Sequence, residues 1–243
     1  MSEIPQRLAV VKTTIADTAL SAGRKSDEVK LVAVAKSHPP EAIREAIEEG
    51  QLLFGESRVQ EARDKIPLLP SKAHWHLIGH LQKNKIRAAL PLFELIHGVD
   101  SLELARDIDR IAVELGLFPK ILLEINVAQE ATKFGFKKEE IRRDMEALLA
   151  MERLQIEGLM TIAPIVEKPE DARKYFAELR ALREELQAAF GIALPELSMG
   201  MSGDYPAAIR EGATMVRVGT AIFGPRSGRN LRGDAFAGEQ SHP

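Results

Sequence analysis

Eight short runs that read as β-strands alternate with segments of helical apolar spacing between Lys30 and Gly224, and this alternation restricts the chain to a few α/β architectures. The strand runs are Lys30 to Ser37, Leu52 to Ser57, Trp75 to Gly79, Leu95 to Asp100, Lys120 to Val127, Ile156 to Ala163, Glu196 to Ser202 and Met215 to Gly224. Between them, apolar residues recur at one-turn spacing, as in Ala42, Ile43, Ala46 and Ile47, in Ile141, Met145, Leu148 and Leu149, and in Phe176, Leu179, Leu182 and Leu186. Helix starts are marked by Pro39-Pro40, Asp100-Ser101 and Lys168-Pro169, and helix ends by Gly50, Gly116, Gly191 and Gly212.

Eight βα units within a chain of 243 residues predict a single (β/α)8 TIM-type barrel. A doubly wound sheet would carry a glycine fingerprint after its first strand, where this chain has Lys36-Ser37-His38-Pro39-Pro40. The barrel is expected over residues 1–226. An extra N-terminal helix at residues 4–22, striped by Ile4, Leu8, Val11 and Ile15, is expected to cover its floor or side. The polar tail, 227–243, has no apolar period and is expected to be mobile.

Composition removes several functions. The absence of cysteine excludes disulfides, thiolate metal sites and cysteine nucleophiles. With 33 basic against 36 acidic residues and no long basic block, the chain lacks the charge pattern of a nucleic-acid binder. No apolar run approaches the roughly 20 residues of a membrane span, and charges at Glu3, Arg7, Lys12 and Asp17 interrupt the N-terminal helix, which predicts a cytoplasmic protein.

In such a barrel the chemistry sits at the C-terminal ends of the strands. Lys36 closes a very apolar first strand, Leu31-Val32-Ala33-Val34-Ala35. An ammonium beside low-dielectric walls has its charged form disfavoured, which frees the amine to form a Schiff base with a carbonyl. The plain alternative is a lysine that reaches into solvent. The segments Ser198 to Asp204 and Val216 to Ala221 bring small residues to the loops where these barrels bind phosphate, with Ser202 and Thr220 adding hydroxyls. Gly200, Gly203 and Gly219 could equally serve only to turn the chain. Together the lysine and the two loops suggest a phosphorylated aldehyde such as pyridoxal phosphate.

Arg217 precedes Gly219 by two residues and shares its strand face, where a guanidinium opposite a pyridine nitrogen would keep that nitrogen unprotonated. The alternative is an ion pair with Glu211 or Asp204. His74 and His76 also share a strand face and, with His80 or His97, form a second candidate: a metal site of a barrel hydrolase. His74 is expected near the N-terminal end of its strand, away from the catalytic rim.

The chain resembles the pyridoxal-phosphate homeostasis protein family, whose members look like the barrel domain of alanine racemase standing alone. The resemblance runs from about Ile4 to Arg226 and rests on Val34-Ala35-Lys36, Phe54-Gly55-Glu56, Trp75 to Gly79 with Leu81-Gln82-Lys83-Asn84-Lys85, Gly158-Leu159-Met160, Gly200-Met201-Ser202 with Asp204, and Val216 to Gly224. It implies a cofactor-linked Lys36, phosphate contacts from Ser202, Gly219 and Thr220, and Arg217 near the ring nitrogen. Ser57, His76 and Met201 complete the expected cofactor-binding set. Two departures from the family pattern occur: Ser57 stands where asparagine is usual, and Tyr205-Pro206 follows Asp204 in place of an apolar-acidic pair.

The expected function is to bind pyridoxal 5′-phosphate as an imine on Lys36 and to buffer or deliver it, possible recipients being apo-enzymes that depend on it. No nucleic acid or membrane is expected as a partner, and the chain is expected to be a monomer. A racemase with Tyr205 or His76 as its second base is the alternative, although the related enzymes draw that base from a further domain for which these strands leave no room.

Overall fold

The computed structural model describes residues 2–130 and 133–225. Strands β1 (Lys30–Val34), β2 (Leu53–Glu56), β3 (His74–Leu77), β4 (Leu95–Val99), β5 (Lys120–Glu124), β6 (Gln155–Met160), β7 (Glu196–Met201) and β8 (Met215–Val218) close into a barrel in chain order. All neighbours are parallel, and β8 returns to β1 with Arg217 opposite Val32. The α-helices are α1 (Ile4–Ser21), α2 (Pro40–Glu48), α3 (Val59–Lys65), α4 (Ile86–Ala89), α5 (Leu102–Leu115), α6 (Lys138–Leu149), α7 (Arg173–Phe190), α8 (Tyr205–Arg210) and α9 (Thr220–Phe223). This is the expected (β/α)8 barrel.

Strand alternation divides the apolar residues into two cores. Inward-facing Val32, Leu95, Leu122, Met160 and Met215, with Leu53 and Ile78, fill the barrel. Outward-facing Ala33, Phe54, Trp75, Ile96, Ile121 and Leu159 pack beneath the helices, so the strands are covered on both faces. Helix α5 shows the local logic: Ser101 accepts the Leu104 N–H at its start, Leu104, Ala105, Ile108, Ile111 and Ala112 form the buried stripe, and Gly116 ends it at φ 67°. Helix α1 buries Ile4, Leu8, Val11 and Ile15 and packs on α2, α8 and α9, so it covers the side of the barrel and not its floor.

Two strand ends differ from expectation in ways that bear on the site. β1 stops at Val34, because His38 N–H bonds back to Ala35 O at 3.2 Å and Ser37 takes φ 63°; Lys36 therefore sits in a turn. β8 stops at Val218, and Thr220 begins a helical turn in which Ile222 N–H bonds to Gly219 O at 2.8 Å. The tail expected at 227–243 lies outside the described residues. Among those residues no helix is long and apolar enough to cross a membrane.

Candidate functional site

The Lys36 turn is held from below. Ser37 N–H donates to Glu61 Oε1 at 2.6 Å, while Lys65 Nζ donates to the same carboxylate at 2.7 Å and to Ala35 O at 2.9 Å. Lys65 also pairs with Glu56, which leaves β2 on its outward face directly beneath α3; both side chains are buried. Burial pushes the Glu56 carboxyl above its usual range against the pull of Lys65. Burial acts on Glu61 in the same sense, but its bonds from Lys65 and Ser37 prevail and lower its pKa. The backbone on both sides of Lys36 is thus tied to a buried charge cluster.

Across the barrel mouth, β7 and β8 deliver two loops. Gly200 takes φ 89°, where a Cβ would stand 2.6 Å from that of Ala208, so β7 can pass beneath α8 only with glycine there. Asp204 then accepts the Met201 N–H at 2.6 Å and closes the Met201 to Asp204 loop around Ser202. Gly219 crosses close to β1, with a Cβ position 3.1 Å from Val34 Cβ, and its N–H donates to Ser202 Oγ at 3.2 Å. The following N–H groups of Thr220 and Ala221 open α9, where a helix provides them with no acceptor of its own.

Arg217 forms the inner wall. It is 4% exposed and donates through Nη1 to Ser198 Oγ at 2.5 Å and through Nη2 to Thr161 O at 2.8 Å. Burial lowers its pKa to about 10 against the favourable charges of Glu124 and Asp204, so it stays a cation at neutral pH. Neither alternative ion pair forms, since Glu211 binds Arg173 and Arg180 and the Asp204 carboxylate serves its own loop. Glu124 is raised to about 7, first by burial and second by Asp100, with Arg217 opposing.

These elements enclose a cavity of about 420 Å³ at the C-terminal ends of the strands. Lys36, Ser57, Met201, Ser202, Arg217, Gly219 and Thr220 all line it. Gly203 of the expected phosphate loop lines it too, and Val34, Ile78, Gly79 and Ile162, for which no site role was expected, complete the wall. His76 does not line this cavity. The inward positions of β3 and its following residue are His74, His76 and Ile78, and Ile78 is the one at cavity level; His76 lies a layer lower and lines a separate cavity at the N-terminal ends of the strands. Tyr205 starts α8 with its side chain buried and lines neither cavity, and Pro206 is the second residue of that helix.

The histidines do not converge as a metal site. His74 pairs with Glu94 at 2.6 Å, His80 pairs with Asp100 at 3.0 Å, and His76 meets His97 at 3.0 Å inside the barrel. Among the described residues no group of three or more His, Asp and Glu side chains could hold a metal ion. Sequence reasoning also missed Ser198, Thr161 and His97 as supports of Arg217; for Ser198 and His97 the available signal was a polar residue at the inward position of an otherwise apolar strand, whereas Thr161 acts through its backbone carbonyl and leaves no sequence signal.

The chain is similar in sequence and fold to several known proteins. The family model of the alanine racemase N-terminal domain matches residues 14–227. A pyridoxal phosphate homeostasis protein from Aquifex aeolicus is 43% identical over 222 residues, covering 91% of this chain and 97% of that protein. Its counterpart in Escherichia coli K12 is 38% identical over 236 residues, covering 93% and 98%. PipY of Synechococcus elongatus PCC7942, solved with PLP bound, is 42% identical, with a TM-score of 0.80 over 91% of this chain and all of that one. Clostridium difficile alanine racemase, at 19% identity and a TM-score of 0.70, shares the fold over 93% of this chain and 61% of its own.

Proposed function

The chain belongs to the alanine racemase N-terminal domain family, alongside the pyridoxal phosphate homeostasis proteins, and on that premise we propose that its upper cavity binds pyridoxal 5′-phosphate. The observation that carries this reading is the meeting, in one cavity, of a lysine amine, two hydroxyls with adjacent backbone N–H groups, and a buried guanidinium.

The residues fit the group. Lys36 would hold the aldehyde carbon covalently. Ser202, Gly219 and Thr220 would receive the phosphate: the N–H groups opening α9 are donors without a helical acceptor, and a side chain at Gly219 would crowd Val34. Arg217 would donate to the ring nitrogen and, being a cation at neutral pH, would not protonate it. When bound, the cofactor supplies an electrophilic aldehyde and an electron-withdrawing ring. The ring withdraws weakly when its nitrogen is unprotonated, which suits holding the cofactor better than turning over a substrate.

On this reading residues 1–226 act as one cofactor-binding barrel that buffers pyridoxal phosphate and releases it to apo-enzymes. It works in the cytoplasm as a monomer. The racemase alternative gains no support, because neither Tyr205 nor His76 lines the cavity. The test is to titrate the purified protein with pyridoxal phosphate, follow the imine absorption, and then add an apo-enzyme that needs the cofactor. Saturable binding at one equivalent, followed by recovery of the apo-enzyme's activity, is expected. No saturable binding, or steady racemisation of an amino acid well above the rate given by free cofactor, would contradict the proposal.

A further inference from the structure

A file of buried polar side chains crosses the barrel interior beneath Arg217. Arg217 Nη1 donates to Ser198 Oγ at 2.5 Å, Ser198 Oγ lies 2.9 Å from His97 Nδ1, and His97 Nε2 lies 3.0 Å from His76 Nδ1. Ser198 and His97 have no exposed surface. His76 is 6% exposed and reaches the lower cavity, of about 310 Å³, whose rim carries the ion pairs of Lys30 with Glu196, Lys120 with Glu157 and His74 with Glu94.

The direction of these bonds follows from the first of them. A guanidinium only donates, so Ser198 Oγ must accept from Arg217. The serine then has one O–H to place, and among the described residues the only acceptor it meets is His97 Nδ1. With that nitrogen accepting, a neutral His97 carries its proton on Nε2 and donates to His76 Nδ1, which leaves the His76 proton on Nε2. The reverse order would strand a buried serine O–H without a partner.

We infer that Ser198 and His97 are positioning residues: with His76 they fix a one-way series of hydrogen bonds that starts at Arg217 and anchors its guanidinium in the wall of the upper cavity. Ser198 and Thr161 hold the outer nitrogens in place, and His97 keeps the serine hydroxyl turned so that its lone pair faces Arg217. The effect on cofactor binding rests on the proposed function; the direction of the series does not.

The test uses the cofactor-free protein with 15N-labelled histidine, observed by long-range 1H–15N NMR at neutral pH. His76 and His97 are both expected as the Nε2–H tautomer, and an Nδ1–H form or an imidazolium at either ring would overturn the inference. Ser198→Ala should shift the His97 Nδ1 resonance and weaken pyridoxal phosphate binding about tenfold, the worth of one hydrogen bond to a charged group. Ser198→Thr, which keeps the hydroxyl, should restore both. Unmoved His97 signals in Ser198→Ala would also overturn it, and should that variant fail to fold, the tautomers of the unmodified protein decide alone. If those tautomers are as stated while the unmodified protein binds no pyridoxal phosphate, the proposed function fails and the hydrogen-bond series stands.

Discussion

Ser37 N–H donates to Glu61 Oε1 at 2.6 Å, so a carboxylate on α3 holds the turn that carries Lys36. Lys65 joins that carboxylate to Glu56 and to the carbonyl of Ala35, which makes it the centre of the arrangement.

Lys65→Met should destabilise the fold by about 3–5 kcal/mol, because it leaves buried Glu56 without its partner charge. The double variant Lys65→Met with Glu56→Gln should recover part of that loss. Urea unfolding measures both. A single-variant cost no larger than that of an exposed ion pair, about 1 kcal/mol or less, would mean that the cluster does not hold the turn.

Ser202→Ala and Thr220→Ala should each loosen pyridoxal phosphate by about 1–3 kcal/mol if their hydroxyls make charge-assisted bonds to its phosphate. Pyridoxal without the phosphate should bind the variants and the unmodified protein equally well. Equal losses for pyridoxal and its phosphate would put the phosphate elsewhere.

The number and order of the barrel strands were legible in the sequence, because eight apolar runs separated by helical periods admit few other closures. Their ends were not. Apolar or β-branched residues stand on both sides of Gly219, Val216 and Val218 before it and Thr220, Ile222 and Phe223 after it, so the sequence pattern extended β8 through what is helix α9. Lys36 and the two loops were legible because the C-terminal rim is where such a barrel works. The layer occupied by His76 was not: a two-residue period gives the face, whereas depth along the axis depends on the register of β3 against β2 and β4. Lys65 carries no signal in the sequence, and only the packing of α3 over the outward face of β2 reveals its buried partner.

Stability should respond to pH in opposite senses through Glu124 and His76. Glu124 is raised to about 7 in the fold, so its contribution is complete below the ordinary carboxylate range and is lost as pH rises through 7. His76 is lowered to about 4, chiefly by burial, so the unfolded chain takes up its proton first and stability falls as pH drops from about 6.5 towards 4. Glu124→Gln should therefore gain on the unmodified protein as pH rises from 4.5, levelling above 7 at about 3 kcal/mol. Unfolding curves across pH 4–8 check this, and a stability difference that does not change with pH would contradict it.

Gly200→Ala should cost about 2–5 kcal/mol, from the left-handed backbone together with the clash against Ala208 and Tyr205. The loop that presents Ser202 begins one residue later, so cofactor affinity should fall with stability. Thermal unfolding and a cofactor titration read the two effects, and a fully stable variant would show that β7 has room to shift.

The most direct test of the account is borohydride reduction of the protein loaded with pyridoxal phosphate, followed by peptide mass mapping, with Lys36→Ala as the comparison. One stoichiometric adduct is expected, on Lys36, and none in a Lys36→Ala protein that remains folded. An adduct on another lysine, or one scattered over the surface lysines and unchanged by Lys36→Ala, would contradict it.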